Sequence, residues 1–166
     1  IGNDAFIFPV GKIGAGYHLC GISAPANVTD AFTTEYIRAS ASGIGGITAP
    51  GLSHVSNCEY WNINRTTGTS TVNVTLSWNG LSNCNAAAYV NDLPSLTIAH
   101  FNGTSWDTHG ANTTTGNASS GTITRNSVSI FSPFSLGSTS AATNPLPVKF
   151  TDIKAYERGS EIKIEW

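Results

Sequence analysis

The sequence predicts an all-β fold: an antiparallel β-sandwich followed by a proline-linked C-terminal β-hairpin. Three observations carry that expectation. Apolar residues recur at every second position in several short runs, the period of a strand with one buried face. Residues that favour turns (Gly, Asn, Ser and Thr) punctuate these runs at spacings of about ten residues, as in sandwiches. No stretch sustains helical periodicity, and Ala86-Ala-Ala-Tyr-Val90 has room for one helical turn at most.

Taken in order, Ala5-Phe-Ile-Phe-Pro-Val10, Tyr17-His-Leu-Cys-Gly-Ile22 and Ala31-Phe-Thr-Thr-Glu-Tyr-Ile37 read as strands. Residues 39–52, rich in Gly, Ala and Ser, read as a loop. Glu59-Tyr-Trp-Asn-Ile-Asn-Arg65 puts Trp61 and Ile63 on one face. After a turn over residues 66–70, Val72, Val74, Leu76 and Trp78 share a face, with Thr71, Asn73, Thr75 and Ser77 on the other. These two strands are expected to pair with each other. Leu96-Thr-Ile-Ala-His-Phe101 and Thr104-Ser-Trp-Asp107 flank Asn102-Gly103, a strong hairpin signal that predicts a type I′ turn. Residues 111–121 read as a polar loop. Val128, Ile130, Phe134 and Leu136 mark the last strands of the first module, and Pro133 among them predicts an edge strand or a bulge.

Charge divides the chain. The last eighteen residues hold four charges of each sign, and the preceding 148 hold ten in all. The break falls at Asn144-Pro-Leu-Pro-Val148, which predicts a module over residues 1–143, a linker over 144–148, and a second β-element over 149–166. In that last segment Ile162, Ile164 and Trp166 alternate with charged residues. An isolated two-stranded hairpin is marginal in water, so its apolar face is expected to pack on another β-domain of the same or an identical chain.

Composition narrows the functional classes. Charged residues make up 11% of the chain, well under the usual quarter, so hydroxyl and amide side chains solubilise it, as in extracellular β-proteins. The net charge is −2 with no basic run, which argues against nucleic-acid binding. No apolar run is long enough for a membrane span. The three cysteines leave at least one outside any intrachain pair, and Cys58 with Cys84, each following Ser-Asn, is the expected disulfide of an exported chain.

Several motifs, in this order along nearly the whole chain, resemble a β-rich module of exported Bacteroidetes surface proteins. They include Phe6-Ile-Phe-Pro-Val-Gly-Lys12, Asp30-Ala-Phe-Thr-Thr-Glu-Tyr36, Glu59-Tyr-Trp-Asn-Ile-Asn-Arg65 and Ala99-His-Phe-Asn-Gly-Thr-Ser-Trp106. Val74-Thr-Leu-Ser-Trp78, Ser132-Pro-Phe-Ser-Leu-Gly137 and Asn144-Pro-Leu-Pro-Val148 extend the likeness. The resemblance implies that a fibronectin-like domain begins after the proline-rich junction. It further implies type IX secretion, an extracellular or cell-surface location and an adhesin-like parent chain, and it supplies no catalytic residue.

Chemical readings find little purchase. His18, His54, His100 and His109 form no recognised ligand spacing. His18 and Cys20 share a strand face by parity, without an evident oxyanion hole. The acids of the first module are Asp4, Asp30, Glu35, Glu59, Asp92 and Asp107, with no Asp-x-Asp cluster for calcium; Asp92 or Asp107 with loop carbonyls is the conceivable Ca²⁺ site. No cofactor is called for. Trp61 and Trp78 are expected in the core, whereas Trp106 is the candidate for stacking a polysaccharide. The expected function is therefore non-catalytic: a structural or adhesion module. The alternatives are a fibre subunit joined by donation of the C-terminal hairpin (Ile162, Ile164, Trp166) and a carbohydrate-binding module.

Overall fold

The strict alternation along residues 72–78 gives a strand whose apolar face must meet a second layer, and the fold is built around that requirement. In a computed structural model, residues 3–82, 89–146, 154–158 and 161–165 are described. Their strands are β1 (Phe6–Phe8), β2 (Gly11–Lys12), β3 (Gly16–Tyr17), β4 (Cys20–Ile22), β5 (Ala31–Ile37), β6 (His54–Val55), β7 (Tyr60–Thr67) and β8 (Val72–Trp78). After these come β9 (Leu96–Phe101), β10 (Trp106–Gly110), β11 (Thr113–Gly116), β12 (Gly121–Val128), β13 (Ser132–Ser138), β14 (Lys154–Arg158) and β15 (Glu161–Glu165).

Two antiparallel sheets face each other. One runs β1-β4-β8-β12-β11; the other runs β10-β9-β13-β7-β5, with β6 added on β13. Val72, Val74, Leu76 and Trp78 of β8 are buried, as are Ile22 of β4 and Ile123 of β12. From the second sheet, Tyr36, Trp61, Ile63, Ile98, Phe134 and Leu136 join the same core. The chain is all-β, as the sequence predicts.

The pairing of the two best-read strands differs from expectation. β7 pairs with β5 and β13, and β8 pairs with β4 and β12. Residues 68–71 therefore cross from one sheet to the other, and the apolar faces of β7 and β8 meet across the core. Gly68 makes the crossing possible: at φ +91 it lies against the Asp30 carboxylate, where a Cβ would come within 1.8 Å of Oδ1. That carboxylate accepts from the Ser70 backbone N–H at 2.7 Å, and its hydrogen bonds to Ser70 hold its pKa below the ordinary value.

Three further readings are corrected. Pro133 lies in a central strand, between β7 and β9. It is tolerated because the β9 ladder begins only at Phe134, so near its start the strand is paired on the β7 side alone. The loop after β9 spans residues 102–105, longer than a two-residue I′ turn. Gly103 has positive φ, and the Asn102 side-chain oxygen accepts from the N–H groups of Thr104 and Ser105. The polar stretch 111–121 contains a strand, β11, which pairs with β12 through threonines.

Trp106 is fully buried, so it presents no ring face to a sugar. It belongs to a second, smaller core on the other face of its sheet, with Ala41, Leu52, Val55 and Ala99. The loop over residues 41–53 covers that face, and the indole Nε1–H donates to the Ala41 carbonyl at 2.9 Å. Trp61 and Trp78 follow the same rule, donating to the carbonyls of His18 and Asn117 at 2.9 Å each. Each of these indoles anchors a segment outside the ladder it packs on, because a buried indole N–H needs an acceptor.

Beyond the sandwich, β14 and β15 pair antiparallel, with Ile162 opposite Glu157 and Ile164 opposite Ala155. Trp166, the last residue of the expected assembly strand, lies outside the described residues. At the junction, Asn144 and Leu146 are buried against the first module, and the Leu146 carbonyl accepts from the Asn57 N–H at 3.2 Å.

Candidate functional site

The residue types that catalysis uses come together in one place, and it is the interior. Glu59 immediately precedes β7, His18 lies between β3 and β4, Tyr36 is near the end of β5, and Tyr89 precedes the β9 segment. All four are buried, Glu59 and His18 completely. Tyr89 donates to Glu59 Oε1 at 2.7 Å and Tyr36 donates to Oε2 at 2.8 Å. His18 Nδ1 meets Oε2 at 2.9 Å, and its ring stacks on Tyr36 with centroids 4.3 Å apart. His18 Nε2 faces the Ala15 carbonyl at 3.0 Å. Each ring nitrogen of His18 thus has an oxygen within hydrogen-bond reach inside the protein. Burial first, and then the Glu59 charge, push both tyrosine hydroxyls above their ordinary range, so they stay protonated and donate.

Ser82 lies 3.3 Å from His18 Nδ1, so a serine, a histidine and a carboxylate are contiguous. Their wiring differs from that of a nucleophilic triad. There, the acid holds one ring nitrogen and the serine uses the other. Here both Ser82 and Glu59 address Nδ1, while Nε2 is engaged by Ala15. Ser82 is itself buried. The cluster is saturated by internal partners: Ser56 completes it by bonding the Tyr89 hydroxyl at 3.0 Å and accepting from the Glu59 N–H.

The other sequence candidates lie apart. Glu35 is on the surface, bonded to Lys12 at 3.0 Å, so it does not converge with Glu59. Asp92 accepts from the Ser95 N–H, and Asp107 from Asn102 Nδ2. Among the described residues, no group of three or more His, Cys, Asp or Glu could hold a metal ion. Cys20 is a buried free thiol, and burial pushes its pKa up to about 12, which disarms it as a nucleophile. Cys84 lies outside the described residues, and so does any pairing with it. No helix among the described residues is long and apolar enough to cross a membrane.

Sequence reasoning also missed the neighbourhood of His100 and His109. Their rings lie 4.5 Å apart, with His100 4.9 Å from Phe134. Parity could not show it, because a bulge between Thr108 and Gly110 shifts the register of β10. Burial chiefly, then the neighbouring His109, lowers His100 to about 4; burial and Arg125 lower His109. A histidine whose folded pKa is depressed gives full stability above its unfolded value of about 6.5 and loses it as pH falls through the folded one. Urea titrations are expected to show a falling midpoint between pH of about 7 and about 4.5, with a shallower fall in His100→Gln.

The site and fold thus define an antiparallel β-sandwich with a sealed, hydrogen-bonded polar core. Comparison with family models, with curated proteins and with solved structures returned no match.

Proposed function

We propose that this chain is a non-catalytic structural and adhesion module of a secreted bacterial surface protein. The observation that carries the reading is the state of the Glu59 cluster. Its acid, base and hydroxyl groups are out of solvent and spent on one another. A catalytic site keeps some of that capacity open toward a substrate. The hydroxyl- and amide-rich composition and the motif resemblance support export. An antibody raised against the module should label intact source cells or their medium, and protease added to intact cells should remove the cell-bound signal. A signal confined to the cytoplasm would end the reading. Turnover of any substrate by the purified chain, lost in Ser82→Ala, would replace it with an enzymatic one.

An oxidising compartment also makes a disulfide part of the proposal. Cys58 does not stand as a free thiol whereas Cys20 does, which supports a Cys58–Cys84 staple. Peptide mapping without reduction should recover those two cysteines linked and Cys20 unmodified, and reduction should lower the melting temperature. Recovery of Cys58 as a free thiol would remove the staple.

A further inference from the structure

Two end strands meet at one corner of the sandwich. β10 ends the second sheet and pairs with β9; β11 ends the first and pairs with β12. Residues 111 and 112 join them, so the chain crosses between the layers here. The start of β10 is pinned: Trp106 is buried, bridges to Ile47, and its N–H donates to the Gly46 carbonyl at 2.8 Å. Residues 108–116 beyond it are half-buried or exposed throughout, the profile of a segment that opens at lower cost than the whole fold. An ionisable cluster sits inside this corner. His100 of β9 is buried, and the His109 ring lies 4.5 Å from it. His109 is the extra residue of the β10 bulge: Thr108 opposes Ala99 and Gly110 opposes Ile98, with His109 between them. Bulges re-aim side chains, and this one sets a second imidazole against the first. Asp107, opposite His100 in register, brings a carboxylate that accepts from Asn102 Nδ2 at 2.6 Å. β13 contributes Phe134, 4.9 Å from His100. From the first sheet comes Arg125 of β12, which is in register with Val74 on the core face. Its Nη1 donates to Asn112 Oδ1 at 3.4 Å and would lie 4.0 Å from a Cβ added at Gly110.

We propose that this corner is an acid-opened seam: protonation of His100 and His109 parts residues 108–116 from the body of the sandwich, while the layers around Glu59 stay packed. With both imidazoles neutral, Arg125 and Asp107 balance each other. With both protonated, the cations outnumber the carboxylate. The imidazoles belong to the second sheet and Arg125 to the first, so the repulsion acts across the interface between the layers. His100 would also carry a buried charge, which opening lets water hydrate. In the closed corner, burial chiefly and then His109 hold His100 down to about 4, and burial and then Arg125 lower His109. Asp107 pulls both rings the other way and is the smallest of the influences on each. A depressed histidine favours the closed form fully above its ordinary value of about 6.5, and that preference is lost as pH falls through the closed-state value. Within that window, each ring that recovers its ordinary value on opening shifts the equilibrium toward the open form by up to about tenfold per pH unit.

Amide hydrogen exchange on the full chain tests this, with protection corrected for the intrinsic exchange rate at each pH. Between pH of about 7 and about 4.5, protection over residues 108–116 should fall at least about tenfold. At the lower pH, β7 and β8 should remain at least about a hundredfold better protected than that stretch, which separates a local opening from unfolding of the whole chain. The double variant His100→Gln, His109→Gln stays neutral at either pH and should hold the fall below about twofold. Arg125→Gln keeps both imidazoles but removes the cation facing them, so its fall should lie between those of the wild type and the double variant. Melting temperatures near the wild type at neutral pH establish that the variants fold; where the double variant does not, Arg125→Gln carries the test. Protection over residues 108–116 that is unchanged at the lower pH overturns the proposal. So does a loss shared equally by β7 and β8, or a fall that the variants leave undiminished.

Discussion

Replacing Glu59 by Gln is expected to destabilise the fold by about 3–5 kcal/mol, the cost of leaving buried hydrogen-bonding groups without their partner. The carboxylate accepts from two tyrosine hydroxyls and meets His18 Nδ1, all out of water. Gln keeps the shape but turns one acceptor oxygen into an NH₂ donor, so at least one neighbour loses its partner, and the histidine faces no charge. His18→Leu should cost a similar amount for the converse reason, since it leaves the carboxylate buried with its tyrosine donors alone. The double variant Glu59→Leu, His18→Leu should cost clearly less than the sum of the corresponding single changes, because removing both members relieves the desolvation that each imposes. Urea unfolding of the four chains, Glu59→Leu and His18→Leu among them, gives the coupling energy directly. Additive single effects would show that the two groups do not act as a pair. Near-neutral effects would show that the interior is wet enough to hydrate whichever group is left.

Much of this architecture was legible because parity is robust. The side-chain faces of β7 and β8 could be read correctly, since alternation depends only on local geometry, while their partners could not, since a crossing and a hairpin have the same local sequence. Thr66-Thr-Gly-Thr-Ser70 looks like a turn in either case, and the deciding contact, Gly68 against Asp30, joins positions far apart in the chain. Trp106 was misread for a related reason. Its own strand says nothing about the loop 41–53 that closes over it. The Glu59 cluster was invisible because its members come from four separate segments, and Glu59 on the threshold of a strand gives no sign that it turns inward. The Asn-Gly step did mark the β9–β10 hairpin, although Asn102 acts there through its side chain and not through a left-handed backbone.

The junction after the sandwich offers the second large effect. Asn144→Ala should cost about 3–4 kcal/mol, built from several lost hydrogen bonds of about 1 kcal/mol each and a left-handed backbone that alanine tolerates poorly. The Asn144 side-chain oxygen accepts from the N–H groups of Asn91 and Asp92 at 2.8 Å each. Its Nδ2 donates to the Asp92 carbonyl at 2.7 Å and to Ser95 Oγ at 3.0 Å. Its own N–H donates to Asn91 Oδ1 at 2.7 Å, and its carbonyl accepts from His54 Nε2. Asn144 sits at φ +48, where asparagine is among the few residues at ease. Three variants separate these contributions. Asn144→Gly relieves the backbone and removes the side chain, so it should be less damaging than Ala by about 1 kcal/mol. Asn144→Asp keeps the shape but sets a carboxylate oxygen against the Asp92 carbonyl, so it should be at least as damaging as Gly. If Asn144→Asp were neutral, the amide would not be the latch. If Ala and Gly were equal, the left-handed conformation would carry no cost. Because Leu146 is buried just beyond, a loosened latch should also raise protease sensitivity at the junction, which would make the start of the tail a part of the sandwich's stability as well as its exit.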